Sequence, residues 1–245
     1  GKIYAIHLET GLVFCLTETY GLPTMTAPTG RCWFCQAEHF FIIQDGESVP
    51  VIIGPDWGAR LAVQEAPSYE VPTGTIMAYG HGRLFVVPAA VGDEDGRRYF
   101  MAGDICLPQT PSTLLQFTET QYLAGGGAMA LPNELGLITG MAFMRNATTG
   151  TGTGGLVVFA RGGASLFGVN APRMTWQEID ISSVLFTTGG TVSPDAIVPV
   201  NSDLMFRSVD GIRSIMFSSS ASSALANVPV SGSFGTILDS DTEAD

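Results

Sequence analysis

Leu204-Met205-Phe206-Arg207-Ser208-Val209-Asp210-Gly211-Ile212-Arg213-Ser214-Ile215-Met216-Phe217 is the stretch that decides the fold class of this chain. A strand-like segment, Leu204–Ser208, breaks at Val209-Asp210-Gly211 and resumes as Ile212–Phe217. Asp-Gly between two apolar runs is a strong hairpin signal, because glycine takes the positive φ of a tight turn without steric cost.

Three further stretches repeat the phrase. Trp33–Ala37 leads to His39–Gln44, a turn at Asp45-Gly46, and Val49–Ile53. Thr75–Tyr79 leads through Gly80-His81-Gly82 to Arg83–Val87, then past a loop at Asp93–Gly96 to Arg97–Met101. Thr139–Met144 leads through a Gly/Thr loop to Gly155–Ala160, the turn Arg161-Gly162-Gly163, and Ala164–Val169. The opening hairpin itself follows Ala196–Val200 and a turn at Asn201-Ser202-Asp203. The copies begin roughly 40 to 65 residues apart, near or above the propeller-blade period of about 40–50 residues. Four copies leave open whether a ring closes within this chain.

The apolar runs are short and two-sided, as in Phe40-Phe41-Ile42-Ile43, Leu84-Phe85-Val86-Val87 and Leu156-Val157-Val158-Phe159. Strands apolar on both sides belong to sheets covered on both faces. Only Pro111–Tyr122 and Ser231–Ser240 read as helical, so other sheets must supply the cover. The expected fold is all-β, with antiparallel propeller-like blades and few helices.

Composition agrees. The 245 residues include 30 Gly and 14 Pro, which imply many turns, and 45% apolar against 14% charged residues, which implies an ordered core. The net charge is −12 and Lys2 is the single lysine, so the clustered cations that grip duplex phosphates are missing. Four cysteines are too few for a disulfide scaffold in a chain this long. Neither a secretory signal pattern nor an apolar run of about 18 residues is seen, so no membrane span is expected. The chain opens on Gly1, which reads as a stretch of something longer or a processed product.

Four segments together resemble the β-propeller tail proteins of short-tailed bacteriophages, the tail nozzle or tail tubular protein B and its relatives. They are Trp33-Phe34-Cys35-Gln36-Ala37 through Asp45-Gly46 to Pro50-Val51-Ile52; Met77-Ala78-Tyr79-Gly80-His81-Gly82-Arg83-Leu84-Phe85-Val86, with Arg98-Tyr99-Phe100-Met101-Ala102-Gly103-Asp104; Ile138-Thr139-Gly140-Met141 through Leu156-Val157-Val158-Phe159; and Ser193-Pro194-Asp195-Ala196-Ile197-Val198, with Leu204 through Ser214. They span most of residues 33 to 217 in the order the family shows. One departure is Met101-Ala102, where the family usually has a polar residue, often Ser, after the aromatic. The resemblance implies a structural virion protein of the tail, without catalytic residues or cofactor. It also implies a ring of copies (a hexamer), contact with other tail or connector proteins, and genomic DNA passing through on ejection without tight binding. Residues 1–32 are then leading strands, part of a preceding blade; 33–220 are propeller blades; 221–245 are a linker with a short helix, beyond which the chain is expected to continue.

Motifs that suggest chemistry each have a plainer reading. Cys32-x-x-Cys35 has no second pair to complete a zinc site, and residues three apart on a strand face opposite ways, so buried thiols are expected. Gly150-Thr151-Gly152-Thr153-Gly154-Gly155 precedes a strand rather than the helix a phosphate cradle requires, and reads as a flexible inter-strand loop. His7, His39 and His81 lack a Gly-x-Ser-x-Gly nucleophile elbow and read as structural. Asp45, Asp56, Asp93, Glu94, Asp95, Asp180, Asp203 and Asp210 lie mostly beside glycines in turns, where Asp has a local backbone role. Asp93-Glu94-Asp95 reads as a solvated loop tip rather than a Ca²⁺ loop. Asn146-Ala147-Thr148 matches a glycosylation sequon without a secretory context. No catalytic, cofactor or metal residue is assigned. The alternative expectation is a phage propeller that binds or cleaves host-surface glycan, which calls for a cleft lined by aromatics and paired carboxylates.

Overall fold

In the computed structural model, which describes residues 1–25, 31–65, 68–89, 96–117, 128–149, 152–170, 173–176, 181–187, 189–216 and 229–231, the hairpin phrases become antiparallel ladders. A two-stranded hairpin, β1 (Tyr4–Ile6) and β2 (Val13–Cys15), comes first, then one helical turn, α1 (Leu16–Thr19). The first repeat is a meander of β3 (Trp33–Ala37), β4 (Phe40–Gln44), β5 (Val51–Ile53) and β6 (Ala59–Leu61). The second pairs β7 (Gly74–Gly80), β8 (Arg83–Pro88) and β9 (Tyr99–Ala102) in that order. After β10 (Ala128–Ala130) comes the third, β11 (Ile138–Thr149), β12 (Gly152–Ala160), β13 (Gly163–Phe167) and β14 (Ser182–Phe186). The fourth is β15 (Ile197–Val200), β16 (Asp203–Ser208) and β17 (Gly211–Ser214). The fold is all-β and antiparallel, with very few helical residues among those described.

Each repeat read from the sequence coincides with one meander, and the differences are local. β6 and β14 add a fourth strand that their short, partly polar segments did not announce. The Gly/Thr stretch is not a loop throughout: Thr149 pairs with Gly152 and Met144 with Gly155, across a register shift between Met144 and Thr148. Gly154 sits opposite that irregularity at φ +86, so glycine is what lets the ladder continue past a bulge. Residues 150 and 151 lie outside the described part. So do 93–95, 118–122, 217–228 and 232–245, which hold the Asp-Glu-Asp run, much of both expected helices and nearly all of the proposed linker. Pro111–Leu115 is a short 3-10 segment. In the fourth repeat the two-residue turn is Val209-Asp210, and Gly211 opens β17 at φ +135, paired with Ser208.

The chain forms two compact units, Gly1–Gly96 with Phe100–Leu123, and Arg97–Tyr99 with Ala124–Asp245. In the first unit β4 explains the two-sided apolar pattern. Ile42 joins Cys35, Ala37, Ile52, Leu84 and Leu115 in a core shared with the second meander. Ile43, on the other face, joins Val51, Ile53 and Ala59 beneath Leu16 and Met25. The side chain of Gln44, fully buried, links the two meanders: its Oε1 accepts from the Gly74 amide, and its Nε2 donates to the Met77 sulfur. In the second unit, Phe206 of β16 stacks on Phe186 at 5.6 Å and tilts against Phe159 at 5.1 Å. Val157, Leu166 and Leu204 complete that core.

Candidate functional site

The leading segment covers only one end of the outer face of β3–β6. At the other end Phe34, Gln36 and Phe41 remain open, because alternation along β3 sends Cys35 and Ala37 inward and their neighbours out. Phe34 and Phe41 stack on each other at 5.9 Å and 22°, forming a flat apolar strip. A concavity of about 480 Å³ runs past this strip, lined by Gln36, Glu38, His39, Phe41, Pro55 and Trp57 among others.

Two hairpin tips frame it. The β3–β4 turn is Glu38-His39, with Glu38 at φ +50. The hydroxyl of Tyr79 donates to Glu38 Oε1 and fixes the carboxylate. Burial, reinforced by that bond to Glu38, holds the Tyr79 hydroxyl well above the usual phenol range, so it stays protonated and able to donate. The β5–β6 tip is Gly54-Pro55-Asp56-Trp57-Gly58. Gly54 N donates to Gly58 O at 2.9 Å, Trp57 N to Gly54 O at 3.0 Å, and Gly58 N to Asp56 Oδ1 at 3.2 Å. Trp57 is 73% exposed and sits at φ +64, a left-handed conformation that costs a bulky residue on the order of 1–3 kcal/mol.

The residues singled out from the sequence take other places. Cys35 enters the core of the first unit, where burial pushes its thiol up to about 12, while Cys32 lies outside β3. Cys106, not Cys32, packs at the edge of the same cluster. All four thiols are free, and among the described residues no three His, Cys, Asp or Glu side chains cluster as metal ligands. The ring of His7 meets Thr10, and His81 with Gly82 forms the β7–β8 turn at φ +50 and +70. His39 alone of the three lines the groove.

The turn aspartates are backbone staples. Asp45 accepts from the Glu47 and Ser48 amides and the Ser48 hydroxyl. Asp203 Oδ1 accepts from the Leu204 and Met216 amides, tying the start of β16 to the end of β17. Asp210 pairs with the buried guanidinium of Arg213 at 3.0 Å. Asp180, and the side chains of Asn146, Ala147 and Thr148, lie outside the described residues. Sequence reasoning missed the groove, although one signal was present: Trp57 stands in a run of turn formers, where no core requires an indole. Among the described residues no helix is long and apolar enough to cross a membrane. No family model, curated protein or solved structure matches the chain.

Proposed function

We propose that this chain is a non-enzymatic structural protein of a short-tailed bacteriophage virion, with propeller-like blades that contribute to a ring-shaped nozzle or tube in the tail. Copies of the chain form the ring, a hexamer as in the family it resembles, alongside other tail or connector proteins. Genomic DNA passes through on ejection without being gripped. The observation that carries the reading is the succession of four antiparallel meanders, each falling on one of the four segments whose sequence resembles that family.

Two properties accord with it. A net charge of −12 repels phosphates, and screening confines that repulsion to about 8–10 Å at physiological salt, so a duplex stays mobile near such a wall. The β1–β2 hairpin offers exposed apolar side chains for contact with another copy. The test is a reconstruction of the intact particle. A ring of this chain around the DNA path supports the proposal. A position on the outer tail surface without a ring overturns it, as does submicromolar duplex binding at moderate salt.

A further inference from the structure

We infer that the groove between the Glu38-His39 turn and the Gly54–Gly58 loop binds a neutral oligosaccharide chain. The inference is independent of the assembly reading. Trp57 carries the argument. An indole left in water loses the benefit of burial, and here its backbone also adopts a strained conformation that glycine would take freely. The loop is closed by three hydrogen bonds and places Trp57 in the lining of the groove, an arrangement that burial of a 73% exposed side chain does not repay. Strain at an exposed aromatic points to a ligand that uses the ring.

The chemistry of the lining selects the ligand. The Phe41 ring, backed by Phe34 stacked on it outside the lining, and the Trp57 indole offer flat π surfaces, which suit the apolar C–H faces of pyranose rings. Gln36, Glu38 and His39 stand alongside as planar groups that can bond hydroxyls, and Tyr79 orients the Glu38 carboxylate. A purely apolar ligand would strip water from those polar groups and leave them unpaired. An anionic ligand finds no Lys or Arg in the lining, and a globular protein needs a contact of about 800 Å² rather than a narrow trough. Glu38 is the one carboxylate of the lining, and Asp56 accepts the Gly58 amide within its own loop. Hydrolysis, which needs two carboxyls flanking a bond, is therefore not part of the inference.

The experiment uses the full chain with maltohexaose, cellohexaose and chitotetraose as probes, read by saturation-transfer NMR and calorimetry. Transfer from at least one probe is expected, weakened at least about tenfold in Trp57→Gly and in Phe41→Ser. Trp57→Gly should also raise the thermal midpoint, because it removes the strain, whereas a structural tryptophan would lower it on removal. Absence of transfer from all three probes at about millimolar concentration overturns the inference, since that is the weak end of specific binding. Binding that survives both substitutions overturns it equally. So does a Trp57→Gly chain whose only change is weaker self-association, because the groove is then an interface between copies. The assembly proposal stands or falls separately, on the ring in the particle.

Discussion

The hairpins β1–β2 and β12–β13 are both rich in apolar residues and meet opposite fates. From Leu156 to Ala160, and again at Ala164 and Phe167, side chains of β12–β13 are fully buried, and Val157, Phe159 and Ala164 pack with Leu204 and Phe206 of the fourth meander. In β1–β2, Tyr4, Ile6, Val13 and Phe14 are each more than half exposed, and Leu8 in the connecting loop is 94% exposed. An apolar strand pattern states that a surface wants cover; it does not state who supplies it. For the Val157–Phe159 face of β12–β13 the supplier is the fourth meander, through Leu204, Phe206 and Ile215. In β1–β2 one face, through Ala5, meets the cluster of Leu16, Met25 and Ile43, while Tyr4, Ile6, Val13 and Phe14 remain exposed. Under the proposed assembly, the cover is another copy.

The comparison breaks if the buried hairpin proves dispensable or the exposed one proves essential to the isolated chain. The largest effect is expected for Phe206→Ala, which removes the ring between Phe159 and Phe186 and should cost about 3–5 kcal/mol in urea unfolding. Gly211→Val follows at about 1–3 kcal/mol, because φ +135 is strained for any branched residue. A Cβ there also stands 2.6 Å from Ser231 Oγ. Wild-type unfolding in that variant would mean that the β16–β17 turn tolerates a side chain.

Asp45→Ala should cost about 1–2 kcal/mol near neutral pH by freeing the Glu47 and Ser48 amides. Burial raises the Asp45 carboxyl, but the hydrogen bonds it accepts outweigh that and hold it below its ordinary value of 3.8. A lowered folded value stabilises above the ordinary one and is lost as pH falls through the folded value. The gap between wild type and variant should therefore close below pH 3.8, as acid titrations of both would show. Cys35, pushed to about 12 by burial, should resist iodoacetamide in the native chain at pH 8 and react on unfolding. The smallest effect belongs to the exposed hairpin: Phe14→Ser should change the unfolding of the isolated chain by no more than about 0.5 kcal/mol. The same change should weaken self-association measured by sedimentation. A large loss of stability instead would show that the hairpin is covered by its own chain.

Much of this architecture was legible because turn chemistry is local. Asp45-Gly46, His81-Gly82 and Asp210-Gly211 lie at or beside the reversals the sequence announced, and the alternation of Ile42 and Ile43 between two cores follows from a strand covered on both faces. β6 and β14 were not legible, since Ala59-Arg60-Leu61 is three residues long and gains its pairing only from β5. The Gly/Thr stretch misled for a related reason: glycine density reads as loop, yet Gly152 and Gly155 pair normally once β11 lies opposite. Beyond the odd placement of Trp57 the groove was not legible, because it is made of absence of cover over Phe34 and Phe41, together with a loop conformation at Trp57. Neither is a property of spacing.

Gln44 has a dynamic consequence. Its amide sits where β4 meets β7, with one end engaged by the Gly74 backbone and the other by the Met77 sulfur. Opening either meander alone would strand a polar group in an apolar interior, a penalty that local fraying cannot avoid. The first two meanders should therefore exchange their amide protons with deuterium as one cooperative block rather than sheet by sheet, and Gln44→Leu should split that block into two populations with separate opening rates.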